Sequence, residues 1–313
     1  MDFKYSTCCF LTVFLLCSCR DPVRDNFPGI DPVPVVYSML KEGERLEVRL
    51  SWTAGLDTCR LKFIEDARIR LSVNGEYTET LTHSPKGLYS AICTVAPSTR
   101  YRCEISIPGR ETVIVSDSIP ALPDLIDVKH IPIAGRDEEG FTYPAVRFTF
   151  VNKPGEKRYF EAVIWEIRKD CEFVKNPETG EITSDCTYRS CAVQPGVVTD
   201  PVLQGEGLPV NVFGNELITG NVYTMTVNYT NGIQSRTDQG DWVTDSFPTV
   251  LELRSVSYDY YRYVKSKYLY QKGFEPEFGK QSSAFSLYSN IDGGYGIFSG
   301  YSASFSDTLN INR

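Results

Sequence analysis

Short runs in which apolar and polar side chains alternate recur along this chain, and that period of two constrains its fold more than any other feature. Leu46-Glu-Val-Arg-Leu-Ser-Trp52 and Ala67-Arg-Ile-Arg-Leu-Ser-Val73 alternate strictly. Alternation of this kind puts every second side chain on one face of a strand. Asn74-Gly75 supplies a tight turn that tolerates positive φ. Gly87-Leu-Tyr-Ser-Ala-Ile-Cys93 and Tyr101-Arg-Cys-Glu-Ile-Ser-Ile107 are two further strands around Ala96-Pro-Ser-Thr99, followed by Thr112-Val-Ile-Val115. Strands so spaced predict a β-sandwich of the immunoglobulin or transthyretin kind over residues 35–121. Ile119-Pro-Ala-Leu-Pro-Asp124 then reads as a stiff connector.

Residues 124–313 predict a second β-rich domain, so the whole is mainly β. Val146-Arg-Phe-Thr-Phe-Val151, Tyr159-Phe-Glu-Ala-Val-Ile-Trp-Glu-Ile167 and Val222-Tyr-Thr-Met-Thr-Val-Asn-Tyr229 are strands. In the second of these Tyr159, Val163 and Trp165 share one face. Residues 170–192 form a polar, cysteine-bearing excursion, read as a pinned hairpin. Residues 257–271 break the pattern: Tyr258, Tyr261, Val264, Tyr268 and Leu269 recur at helical spacing. Ser257 can cap this amphipathic helix, Lys265 and Lys267 suit its C-terminal half, and Gly273 can end it. The tyrosine stripe reads first as core packing and second as a sugar-stacking platform.

The N-terminus bears on compartment. Lys4 precedes an apolar run of about ten residues, a length that suits a signal peptide and is too short for a membrane-spanning helix. The run closes in Leu16-Cys17-Ser18-Cys19 and turns polar at Arg20-Asp21. Leu-x-small-Cys resembles a bacterial lipobox, in which the cysteine thiol is lipidated and becomes the first residue. We therefore expect residues 1–18 to be a lipoprotein signal peptide and Cys19 the lipid attachment site. The proline-rich residues 19–34 are the expected tether. A chain anchored in this way needs no transmembrane helix, because several acyl chains hold it at the membrane.

The net charge is -8, from 40 acidic and 32 basic residues, which argues against nucleic acid as a partner. Beyond the leader lie six cysteines, Cys59, Cys93, Cys103, Cys171, Cys186 and Cys191. An even set in an exported chain points to disulfides. The spacing suggests Cys93–Cys103 across a turn, and one bridge within Cys171 to Cys191. No Cys-x-x-Cys occurs and the two histidines, His83 and His130, stand apart, so no metal or other cofactor is expected. No nucleophile elbow or His-Glu-x-x-His is found. Glu161 and Glu166 are the nominal candidates for a carboxylate pair; the overall reading is non-enzymatic.

The tail Tyr288-Ser-Asn-Ile-Asp-Gly-Gly-Tyr-Gly-Ile-Phe-Ser-Gly-Tyr-Ser302 is glycine-rich between aromatics, a pattern that marks turns or close backbone approach. Asn290, Gly294, Gly296, Phe298 and Gly300 in this tail resemble the closing signature of a family of Bacteroidota outer-membrane lipoproteins, domain-of-unknown-function family 4249. Val95–Gly109, Ile119–Pro123 and Asn152–Phe160 are similar to its two hairpins and its linker. Ser299 stands where that family more often has Gly, and the cysteine-bearing excursion is peculiar to this chain. The resemblance implies an outer-membrane lipoprotein encoded beside TonB-dependent transporters, with no catalytic residues to carry over. It leads to the expectation of an accessory binding component of a TonB-dependent transporter barrel. A free-standing adhesin or carbohydrate-binding lipoprotein is the alternative, and a structural envelope protein a third reading.

Overall fold

Each alternating run is a strand in the computed structural model of the chain, which describes residues 31–55, 60–175, 180, 182–236, 238–240, 242–244, 247–273 and 285–310. The expected leader, Cys19 and Cys59 lie outside the described residues, as does most of the expected tether.

The first sandwich is built from β1 (Pro34–Lys41), β2 (Arg45–Trp52), β3 (Arg68–Val73), β4 (Glu76–Thr80), β5 (Thr82–Ser84), β6 (Leu88–Thr94), β7 (Thr99–Ser106) and β8 (Val113–Ile119). One layer runs β1-β2-β6-β5 and the other β4-β3-β7-β8. Alternate residues of each face inward: Leu46, Val48 and Leu50 of β2 meet Ile69, Leu71, Tyr101 and Ile105 from the opposing layer.

The second part repeats the device. β9 (Leu125–Arg136), β10 (Thr142–Val151), β13 (Gln194–Pro195) and β15 (Val222–Thr230) form a four-stranded sheet in the order β13-β15-β10-β9. It covers β11 (Tyr159–Lys175), which pairs with β12 (Ile182–Ala192), the short β14 (Val212–Gly214) and β18 (Thr249–Val256). Phe148, Phe150, Phe160, Phe213, Met225 and Leu251 fill the space between. The one-turn helix α1 (Pro201–Gly205) is capped by Asp200, whose carboxylate accepts from the Val202 amide at 3.0 Å. A small hairpin, β16 (Gln234–Arg236) and β17 (Trp242–Thr244), forms a two-stranded sheet of its own, with Trp242 against Phe141.

The two sandwiches are not independent. β19 (Tyr295–Phe305) pairs antiparallel with β18 and parallel with β1, from Val35↔Tyr295 to Lys41↔Tyr301. Residues 121 to 124 lie between β8 and β9. One sheet nevertheless takes strands from both sides of them, in the order β12-β11-β18-β19-β1-β2-β6-β5. Lys41, Tyr301, Val256 and Tyr159 mark a single row across its four central strands. The helix α2 (Tyr258–Gly273) lies over this sheet where the two parts join, packing Tyr260, Tyr261, Val264 and Tyr268 on Val256 and Tyr301. Tyr260, and not Tyr258, is its buried residue.

The cysteines divide differently from expectation. Cys171 is bonded to Cys186, directly opposite it in the β11–β12 hairpin, while Cys93, Cys103 and Cys191 are thiols. Cys93 and Cys103 do not bridge: the Cys93 thiol is hydrogen-bonded to Glu79, while Cys103 is buried in the core. The Ala96-Pro-Ser-Thr99 segment carries the chain from one layer to the other and is no hairpin turn. Burial pushes the Cys93 thiol up to about 11 and the Cys103 thiol up to about 12.

The parallel seam makes a sharp demand on its glycines. At Gly296, φ is +116° and an added Cβ would overlap the Val36 carbonyl oxygen. Gly43 also has positive φ but faces open space. We predict that Gly296→Ala lowers stability by several times the cost of Gly43→Ala, which is about 1 kcal/mol. Urea denaturation of the two variants checks this; equal midpoints would exclude a steric seam.

Candidate functional site

A candidate site lies beneath α2, and its framework begins at the helix N-terminus. Ser257 Oγ accepts from the Tyr260 amide at 3.2 Å, and Asp259 lies in the first turn. This is the arrangement the helix dipole favours. The helix is thereby held over the sheet with Tyr260, Tyr261 and Tyr268 packed toward it.

The sheet face below carries charge. Arg254 donates to Glu252 through Nε at 2.8 Å and Nη2 at 2.9 Å, and through Nη1 to Glu161 at 2.8 Å. Its guanidinium lies 4.4 Å from the centroid of the Tyr301 ring. Tyr260 Oη donates to Glu161 at 2.7 Å, and Trp165 Nε1 donates to Glu252 at 2.8 Å. Burial alone would lower the pKa of Arg254, but its bonds to Glu252 and the nearby Glu161 outweigh that, so it stays charged. Burial, then the Glu161 charge, holds the Tyr260 hydroxyl well above its ordinary value. A second clamp lies alongside: Lys265 bonds Glu206 at 2.8 Å, Tyr261 donates to the same carboxylate, and Glu206 accepts from the Gly214 amide at 2.7 Å.

Between the helix and β11 lies a groove of about 460 Å³. Glu161 and Val163 form its floor, Gln194 and Asn211 one wall, and Lys267 and Tyr268 the other. Its orienting carboxylate is fixed by Arg254 and Tyr260, while amides, an ammonium and a ring line the rest. That set can bind a small polar ligand by several directed hydrogen bonds and one stacking surface. A second cavity, of about 310 Å³, sits at the other end of the body, where β1 begins. Trp52, Arg60, Lys62 and Arg110 line it. Arg110 lies 5.4 Å from the centroid of the Trp52 ring and donates to the Pro32 carbonyl at 3.1 Å.

The signature residues of the tail come together at the seam. Asn290 donates to Asp259 at 2.9 Å and to the Phe298 carbonyl at 2.8 Å, and accepts from the Phe298 amide at 3.0 Å. Its side chain thus pairs with β19 as another strand would. Phe298 is buried in the first core. A Cβ at Gly294 would come within 2.7 Å of the Pro34 carbonyl oxygen, and one at Gly300 would overlap that of Leu40. The signature therefore serves the seam and the helix cap, and does not line the groove. Asp117 of β8 enters the same joint, accepting from the Gly300 amide at 3.1 Å.

Glu161 and Glu166 do not share a cleft. With odd and even numbers on one strand they project from opposite faces. Glu161 faces α2, whereas Glu166 is fully buried on the other side, bonded to Arg168 at 3.0 Å and Asn231 at 2.9 Å. They therefore cannot flank one glycosidic bond. His130 contacts Tyr229 at 3.0 Å, and His83 lies beside Tyr89. Among the described residues no three His, Cys, Asp or Glu side chains cluster to hold a metal, and no helix is long and apolar enough to cross a membrane. The groove and the Arg254 clamp were missed in the sequence. Arg254 and Glu252 share the outward face of a strand, and nothing in their spacing says that a helix will cover it.

The family model for a domain of unknown function, DUF4249, matches residues 20–306, and the chain belongs to that family. No curated protein matches it.

Burial raises the Asp117 carboxyl to about 6, partly offset by hydrogen bonds from Ser257 and the Ser118 amide. The raised value means that the folded state favours the protonated acid. The stabilisation is full below the unfolded pKa near 4 and is lost as pH rises through about 6. Asp117→Asn should flatten stability between pH 4 and 7. Thermal melts across that range decide it: a variant with the wild-type pH slope would remove Asp117 as the cause.

Proposed function

We propose that the chain is a membrane-anchored, non-enzymatic accessory binding protein of the outer membrane, held by lipid at Cys19 and working beside a TonB-dependent nutrient transporter. The observation that carries this reading is the polarity of the body. The end at which β1 begins, nearest in sequence to Cys19, bears the cationic cavity of Trp52, Arg60, Lys62 and Arg110. Aromatic and basic side chains are those that suit a membrane interface and its anionic headgroups. The groove under α2 lies further along the strand direction, away from that end. A protein so oriented offers a solute site above the surface to which it is tethered. Family membership and the leader resemblance agree with this assignment.

The groove itself favours one further reading, that of a free-standing carbohydrate-binding lipoprotein. Its carboxylate, amides and Tyr268 match the hydroxyls and ring faces of a sugar.

A C-terminally tagged protein, drawn from native outer membrane in mild detergent, is expected to bring down a large barrel transporter in near-equal amount. Recovery alone would overturn the transporter assignment. Glycan binding by the solitary protein that is lost in Tyr268→Ala would then favour the second reading.

A further inference from the structure

The β11–β12 hairpin outruns its sheet. β18 pairs with β11 as far as Glu166↔Thr249, and beyond that point the hairpin is a two-stranded ribbon. From the row marked by Tyr159 and Lys41, β1 runs back to Pro34 and β11 runs forward to Lys175. At about 3.3 Å per residue, the ribbon end and the start of β1 are on the order of 70 Å apart along the strand direction. An isolated two-stranded ribbon is marginal in water. The Cys171–Cys186 bridge closes a loop of 15 residues, worth about 3 kcal/mol.

The outer edge of this ribbon lacks the proline, lysine and bulge that commonly protect an edge. β12 pairs with β11 over eleven consecutive residues without a bulge, and Ile182–Ala192 holds neither Pro nor Lys. Long flat edges of this sort recruit another strand. One face carries Phe173, Tyr188 and the disulfide, with both rings largely exposed. The other face sets like charges directly opposite one another: Arg168 against Arg189, and Glu172 against Asp185. Such pairs destabilise a lone hairpin. Glu166 compensates Arg168, and Asp170 reaches Arg189 at 3.2 Å across an exposed surface. The acidic row has no such local partner among the ion pairs of the described residues.

We propose that β12 pairs edge to edge with β12 of a second copy, antiparallel, about a two-fold axis through Thr187. That register sets Asp185 of each copy against Arg189 of the other, so each acidic row meets a basic row. On the opposite face it lays Tyr188 of each copy over the other's Cys171–Cys186 bridge. The occupant is a second copy because the charges on this strand are complementary to themselves about one residue, which an unrelated strand has no reason to match. The two nine-stranded sheets join into one.

The test is native mass spectrometry and sedimentation of the full chain in mild detergent. The wild type should be a dimer that dissociates on dilution. Asp185→Arg and Arg189→Asp should each weaken it by about tenfold or more, and the double variant D185R/R189D should restore it. Each single change replaces a like-charge pair inside the ribbon with an opposite one; Arg189→Asp also gives up the exposed ion pair to Asp170, and recovery of the dimer in the double variant separates a lost interface from a lost fold. A monomeric wild type at all concentrations would overturn the proposal, as would a dimer indifferent to either substitution. So would a monomer from which D185R releases a different co-purifying protein, since the edge would then take a foreign strand.

Discussion

The parallel pairing of β1 with β19 is the constraint on which the rest depends. A parallel pair needs a long crossover, and here the crossover is almost the entire chain. The pairing turns two sandwiches into one body, because β19 is at once the neighbour of β18 and the neighbour of β1. The glycines at 294, 296 and 300 follow from it, since the β1 backbone leaves no room for side chains there. The clamp of Asn290 on Phe298 follows too, finishing the strand where no further chain is available to pair.

The same seam sets the electrostatics. A helix laid across a sheet face usually meets apolar side chains, but here it meets Arg254, Glu252 and Glu161. The arginine holds two carboxylates and a tyrosine ring, so one positive charge offsets part of two negative ones where they are buried. Removing Arg254 would leave both carboxylates without their cation, at a cost of about 3–5 kcal/mol. The geometry that results is rigid, and it fixes the one carboxylate that faces the groove. Structural and binding roles therefore converge on Glu161, while Glu166, five residues on, serves only the opposite core.

Much of this was legible in the sequence, because burial follows period. The strands appear wherever Leu46–Trp52-like alternation occurs, Ser257 marks the helix start, and the glycines of the tail signal close backbone approach. What period cannot convey is adjacency. Cys93 and Cys103 stand ten residues apart in strong strands, yet the segment between them changes layers, and Cys93 meets Glu79 while Cys103 enters the core. The tail, rich in Gly and Ser, has too few apolar side chains to announce itself as the central strand of a large sheet. Helical spacing places Tyr258 in the inward stripe and passes over Tyr260. Edge-to-face contact with Tyr301 is what draws Tyr260 inward.

A chain made from its N-terminus meets this topology in an awkward order. β1 emerges long before β19, its lasting neighbour. Until residues 290–305 are available, Val36 and Leu40 lack the cover of Phe298, and the edge of β1 that β19 will occupy stays open. Contacts of such long sequence separation are slow to form, and the waiting intermediate exposes an unpaired edge. Completion of the body is therefore tied to the arrival of β19. The two sandwiches can each gather their own strands early, but the sheet that makes them one body closes only at that last step.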